Sequence, residues 1–450
     1  HNRKSKRSFI WKCAIQPQTK GNLKQTFALD SPIRLTLTMP SSSNKKTKKP
    51  SGEINLLIQA SLALIESGTL LEEDYWRSVL STEIAQLIQS KQNQVLMDAA
   101  VQLLTNQVDA YTEFQNLIES HATNALIHEG EQVFDISLIS APILVWGRFT
   151  IPSPTISASH CSAIQALFQE HIVSPNAQVQ VIPALFSLEQ LPEAYSDIFE
   201  LLNVGLVTLN EGIDMPEPSL EKPIPCIADT RYLLALIKTP RPAPLFRWLS
   251  VDAPFDSIKF DPIKAKQEVH SKWHAALNPV LHEIMPGYAL ECLRPDGFFA
   301  AQRDSDQKIR PISIQAAVFY LSQSLDIAAN ELRVVIADFS LKEDPSKVGE
   351  YRISFLMEGA PEVIYGVSWN LYSEQDYFDA MAKGETIYPQ GQIIETLQAC
   401  GIQQFQHLET LFEPEYCDDC DAPMFANDDG ELVHTEMPQE IDPPHNEHFH

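Results

Sequence analysis

The chain has 450 residues, is 44% hydrophobic and carries a formal net charge of −26, which gives enough apolar material for a sizeable core and excludes disorder throughout. No apolar run reaches the ~18 residues of a membrane span; the best, Ile136 to Trp146, is broken by Pro142 and followed by Arg148. Seven scattered cysteines, an odd number, make no disulfide framework, so a reducing cytoplasm is the expected location.

Residues 1–52 read as a disordered basic leader. Twelve of the 33 Lys and Arg residues fall in the first fifty positions, against the single acid Asp30. Lys12 splits the only apolar patch there, which makes a poor signal peptide. Position 1 is His and the first methionine is Met39, so residues 1–38 are expected to be untranslated upstream sequence. What remains is more acidic than the whole chain. Such a body repels phosphate backbones, so no nucleic acid is expected on it, and no membrane.

Residues 53–122 carry a helical pattern. Ile54, Leu57, Ile58, Leu62 and Ile65 recur at three-to-four spacing and Gly68 stops the run. Asp74 is the expected cap of a second helix with Trp76, Val79, Leu80, Ile84 and Leu87 on one face. Two further helices are expected over 95–104 and 110–119. This layer shows no ligand-type pattern and reads as packing.

The expected fold class is α/β (α+β): that helical layer, then two α/β units with mixed sheets over 123–250 and 262–410. The units echo each other. A helix at 162–168 leads to a strand at 179–187, and a helix around 312–319 leads to a strand at 332–340. Each is followed by a hairpin-like pair, 230–237 with 245–248, and 350–357 with 364–369. A duplication predicts Ser187 over Ser340, Trp248 near Trp369, and a cleft between the halves.

Residues 411–450 form the sharpest feature. Past Lys383 there is no Lys or Arg, and acids accumulate around Cys417-Asp-Asp-Cys420. Two thiols at C-x-x-C spacing with downstream imidazoles supply the N/S ligand set zinc prefers. Asn427-Asp-Asp-Gly430 suits a hairpin turn. A four-residue turn there sets Ala426 against Glu431 and His434 against Pro423, near Cys420. The ligand set read from this spacing is Cys417, Cys420 and His434, with His448 as the fourth; His445, His450 and Cys400 are alternatives. The expected cofactor is therefore structural Zn²⁺ in a zinc-ribbon-like knuckle. A redox role needs cations to lower a thiol pKa, whereas Glu413, Glu415, Asp418, Asp419 and Asp421 act the other way and attract a divalent cation. His434-Thr-Glu436 follows the cysteines and sits on a hairpin, unlike the zinc deaminases.

No phosphate-cradling glycine loop, GxSxG or HExxH occurs. Arg294-Pro-Asp296 and Arg303-Asp-Ser-Asp306 to Arg310 form the one other polar cluster, read as a charged strand end and turn. The tail motif Glu413-Pro-Glu-Tyr-Cys417-x-x-Cys420-x-Ala-Pro with Val433-His434-x-Glu436-Met-Pro, joined to Ala228-Asp-Thr-Arg231 and Glu350-Tyr-Arg352, resembles a proteobacterial family of domains of unknown function, the one numbered 2863. The likeness runs from Glu53 to the end; it implies no activity, and Asp421 departs from the Gly expected there. The functional expectation is a cytosolic, non-enzymatic interaction or regulatory protein with structural zinc and a protein partner. The alternatives are an enzyme using Asp296, Arg303 and Asp304 in the cleft, and metal storage or delivery.

Overall fold

The computed structural model describes residues 52–435, apart from 221–222, 224–225, 250–261, 341–344, 346–347, 358, 360–361, 372–388 and 419–421. Residues 1–51 of the basic leader, Cys420, Asp421 and the three C-terminal histidines therefore lie outside the described residues.

Four helices open the fold: α1 (Gly52–Ile65), α2 (Leu70–Gln89), α3 (Asn93–Asn106) and α4 (Val108–Thr123). Thr69, not Asp74, caps α2, because its Oγ1 takes the Glu72 N–H at 3.3 Å and starts the helix five residues earlier. Leu80, Ile84 and Leu87 are buried as the period requires.

The first sheet is built on β2 (Gln132–Trp146), whose long apolar run is buried on both faces along most of its length. β4 (Ala228–Pro240) pairs with it along thirteen residues, and β3 (Gln178–Phe186) lies beyond β4. Three short strands share the other edge of β2: β1 (Asn124–Glu129), β6 (Asp296–Gly297) and β5 (Ala289–Cys292). Every pairing is antiparallel. Pro142, which has no N–H to give, falls between the β6 and β5 contacts and instead accepts the Leu293 N–H at 2.9 Å. Alternation along β4 splits the core. Tyr232, Leu234 and Leu236 face α1–α4 and α6 (Tyr195–Glu211); Leu233, Ala235 and Ile237 face α5 (Ala158–Leu167) and α7 (Pro262–Ile284).

α8 (Phe298–Leu325) joins the two halves of the molecule. Phe298 and Phe299 enter the first core, while Ile314, Ala317, Val318 and Leu321 enter the second. There they cover one face of a four-stranded sheet, β10-β7-β8-β9, made of β7 (Leu332–Ser340), β8 (Val348–Met357), β9 (Val363–Asn370) and β10 (Gln404–Phe412). α9 (Pro389–Ala399) covers the same face through Ile393 and Leu397. β10 lies parallel to β7; the other pairings are antiparallel. The mixed α/β class is thus what the structure has.

The duplication does not hold in strand order. The first sheet runs β1-β2-β4-β3, and the second runs β10-β7-β8-β9. The expected strand at 245–248 is absent: Pro240, Pro242 and Pro244 remove the N–H groups a ladder needs, and residues 247–249 form a turn of 3₁₀-helix. β2, which precedes β3, occupies the place that β9 fills in the second sheet. β5 and β6, from the segment expected to build the second unit, join the first sheet instead. What survives of the echo is a helix followed by two antiparallel strands.

Candidate functional site

The chain leaving β10 crosses the uncovered face of the second sheet and folds into a small three-stranded arrangement. Residues 415–417 run antiparallel to 422–424: Tyr416 bridges Pro423, Cys417 N–H donates to Ala422 O at 2.8 Å, and Met424 N–H donates to Glu415 O at 3.0 Å. Cys417 therefore stands at the end of the first of these two paired segments. Then β11 (Phe425–Ala426) pairs with β12 (Leu432–Val433). Here the expected register is wrong by one residue. Ala426 faces Leu432, Phe425 faces Val433, and Asn427 N–H donates to Glu431 O at 2.9 Å, so the turn proper is three residues long. The cause is local. The Asn427 side-chain oxygen accepts the N–H groups of Asp429 (3.1 Å) and Glu431 (2.9 Å), and Gly430 takes the left-handed conformation, φ +79°, that closes such a turn. Continued by one step, this register sets His434 opposite Met424, not Pro423.

Side chains of the sheet hold this segment down. Phe425 and Ala426 are buried over Val335, Leu356, Val363, Ala337 and Phe339. The Phe425 ring fills the place of a side chain at Gly366, where an added Cβ would collide with it. Arg352, fully buried on β8, donates to Glu415 O at 2.8 Å and also to Met424 O, while Glu350 accepts from its Nε at 2.8 Å. Its guanidinium stacks over Phe339, 4.1 Å from the ring centre, and lies 5.1 Å from that of Tyr416. Ser354 Oγ donates to Ala426 O at 2.6 Å, and Arg333 reaches Asp428 at 2.5 Å. The polar residues on this inner face thus answer the carbonyls of an irregular cover.

Of the four expected ligands, Cys417 is half-buried and His434 exposed, whereas Cys420 and His448 fall outside the described residues. Among the described residues no group of three or more His, Cys, Asp or Glu is placed to hold a metal ion. Cys400 follows α9 and packs against the core on the opposite face of the sheet, which removes it as a fourth ligand.

The three residues expected to make an enzyme cleft do not converge. Asp296 accepts from Arg294 at 2.8 Å and from Gly297 N–H at 2.9 Å. Asp304 pairs with Lys308 at 2.8 Å on the exposed side of α8, so this stretch is helical, not a turn. Arg303 turns the other way and approaches Glu119 of α4 at 3.6 Å.

That last contact marks what the sequence reading missed. Every residue of α4 from Phe114 to Glu119 is buried, yet the stretch includes Gln115, Asn116 and Glu119, with His121 buried beyond it. Gln115 Nε2 donates to Glu119 at 3.2 Å and to Tyr195 Oη at 2.9 Å. Burial raises the Glu119 carboxyl well above its usual range, against the pull of Arg303 and Gln115, and lowers His121 to about 4. The available signal was Gln115-Asn116-x-x-Glu119-x-His121 inside a periodic helix. Polar residues on a helix ordinarily mean a solvated face, and that rule hid them. An open groove of about 800 Å³, lined by Leu126, His128, Val133 and Arg241 among others, shares no residue with either cluster. No helix among the described residues is long and apolar enough to cross a membrane.

A family model described as "Protein of unknown function (DUF2863)" matches residues 42–449. No curated protein and no solved structure matches the chain.

Proposed function

The chain belongs to the DUF2863 family, whose description carries no activity, and from that starting point we propose that it is an interaction or regulatory protein of the cytoplasm whose C-terminal knuckle is fixed by one structural Zn²⁺. Cys417, Cys420, His434 and His448 are the proposed ligands. The observation that carries this reading is the antiparallel pairing of residues 415–417 with 422–424. The Cys417–Ala422 and Glu415–Met424 hydrogen bonds hold these two short segments side by side, with Cys417 at the end of the first, and the C-x-x-C spacing is the one structural zinc sites use. The register of β11 with β12 adds support, because strand alternation sets Cys417, Met424 and His434 on one face. Glu413, Glu415 and Asp418 add an anionic field that favours a divalent cation.

A segment this irregular, covering an apolar sheet face, gains its order from a bound ion more readily than from its own short ladder. The docking partner is proposed to be another protein, since the acidic surface repels nucleic acid. The test is the metal content of the purified full-length chain. One equivalent of zinc is expected, lost in a Cys417→Ser/Cys420→Ser double variant, and chelation is expected to raise hydrogen exchange over 413–434 while sparing β7 and β8. Zinc retained by the double variant at full occupancy contradicts this ligand set.

A further inference from the structure

The start of α5 holds a second cluster with chemistry of its own. Thr155 bridges Ala184 and Ile156 N–H donates to Pro183 O at 2.9 Å, so the chain arrives as a short edge strand beside β3. Ser157 then caps α5, its Oγ accepting the His160 N–H at 3.3 Å. Capping requires nothing more. The His160 imidazole, however, is engaged at both nitrogens. Nδ1 lies 3.1 Å from Ser157 Oγ, and Nε2 lies 3.1 Å from Glu283 Oε2 on α7. An ionised carboxylate only accepts, so the imidazole proton belongs on Nε2, and Nδ1 is left to accept from the serine hydroxyl.

We propose that Ser157, His160 and Glu283 form an esterolytic site for small, uncharged carboxylic esters. A nucleophile within reach of a base, and a base oriented by a third group, is the arrangement acyl transfer needs. Ser157 Oγ attacks the ester carbonyl carbon while its proton passes to His160 Nδ1. The developing oxyanion faces the first turn of α5, where helix geometry leaves the Ala158 and Ser159 N–H groups without intrahelical acceptors and the helix dipole is positive. The carbon–oxygen bond to the leaving group breaks as His160 Nδ1–H protonates the departing alkoxide, leaving an acyl-Ser157 ester. Water then attacks that ester, its proton passing to His160, and the acid leaves with Ser157 restored. Glu283 is a positioning residue: it fixes the imidazole tautomer and touches no reacting atom.

Ser157 and Ser159 are exposed and the His160 side chain is 28% exposed, so an ester reaches the site without any opening motion. The same openness limits the rate. Water competes for every hydrogen bond, which places the gain from general-base catalysis at the low end of its usual span, about 10²-fold. The Glu283 carboxylate disfavours anionic esters.

The test uses the full-length protein with p-nitrophenyl acetate, and a fluorophosphonate probe followed by peptide mapping. Ser157→Asn keeps a good helix cap and removes the nucleophile, so a loss of activity in it is not a loss of fold. The expected result is probe on Ser157, hydrolysis lowered about 10²-fold in Ser157→Asn and His160→Gln, and a smaller loss in Glu283→Gln with a displaced acidic limb in the pH–rate profile. Probe found elsewhere or nowhere, or hydrolysis unchanged in Ser157→Asn, overturns the proposal.

Discussion

The first sheet has helices on both faces, whereas the second has helices on one face and the hairpin segment 413–434 on the other. Each nevertheless buries an arginine two residues after an acid, and uses it in the same way. Arg231 pairs with Asp229 and donates from Nε to Pro152 O and from Nη2 to Ile151 O, both at 2.7 Å. Arg352 pairs with Glu350 and holds Glu415 O and Met424 O. Irregular backbone can cover a sheet only if its carbonyls find donors, and a guanidinium supplies five from one side chain. The difference is in what else holds the covered segment. The segment at 151–152 continues into α5, which α7 covers in turn, while the described part of 413–434 is held by Arg352, Ser354 and Arg333 of the sheet and by the burial of its own Phe425 and Ala426. The second clamp therefore carries more of the local stability than the first.

Removing each clamp sharpens that contrast most. Arg352→Met strands Glu350 and two carbonyls, and a loss of about 3–5 kcal/mol is expected, with hydrogen exchange rising over 413–434 and little over α5. Arg231→Met is expected to free 149–156 instead. If both variants deprotect the same segments, the two clamps are not local devices and the comparison fails.

Acid separates the regions next. His121 belongs to the first region and is held neutral by burial, at about 4 against an ordinary 6.5. The unfolded chain binds that proton first, so the stabilisation is complete above about pH 6.5 and is lost as pH falls toward 4. The loss amounts to about 3 kcal/mol. Glu119 acts in the opposite sense, since its raised carboxyl takes up a proton in the folded chain as pH falls. Thermal melts across this range should therefore show the His121 loss as the difference between the parent chain and His121→Gln, which should be the less acid-sensitive of the two.

Two smaller tests concern the cover alone. Gly366→Ala forces the Phe425 ring aside and is expected to cost about 1–3 kcal/mol, recovered in part by Phe425→Leu in the same chain. Asp428→Asn breaks a half-exposed pair with Arg333, and a shift below about 1 kcal/mol is expected in the same denaturation assay. A larger shift makes the turn a principal anchor and narrows the gap between the two regions.

Period and punctuation made much of this legible in the sequence. β7 matches its expected limits, β3 and β8 lie within about two residues of theirs, and α7 ends ahead of Pro286-Gly287 as the pair demands. Three kinds of error have physical causes. Asp74 lost the cap to Thr69 because Glu72 supplies its N–H one turn into the helix. The hairpin at 427–431 gained a different turn because Asn427 accepts two backbone groups that no pattern of apolar residues encodes. The partners of β2 could not be read at all, since strand order depends on which edges long-range packing leaves open, and the duplication was inferred from local likeness alone. Near the candidate metal site, the hairpin was legible from Asn427-Asp-Asp-Gly430, while the clamp that docks it was not. Strand alternation alone sets Arg352 and Ser354 on a polar, solvent-facing side, and only a cover arriving from sixty residues downstream turns that side inward.

The many partners of β2 bear on how the protein is made. β1 can zip onto β2 as soon as both have been synthesised, but β4 arrives later, and β6 and β5 later still, at residues 289–297. Throughout that interval a growing chain on the ribosome carries a fifteen-residue strand, apolar over most of its length, with an open edge, the feature that recruits stray strands from other molecules. Synthesis proceeds at about 5–20 residues per second, so the exposure lasts for many seconds. A holdase, or a nascent α1–α4 layer folded over one face, is the natural shelter for it. A truncated chain ending before Ala289 keeps that liability for good.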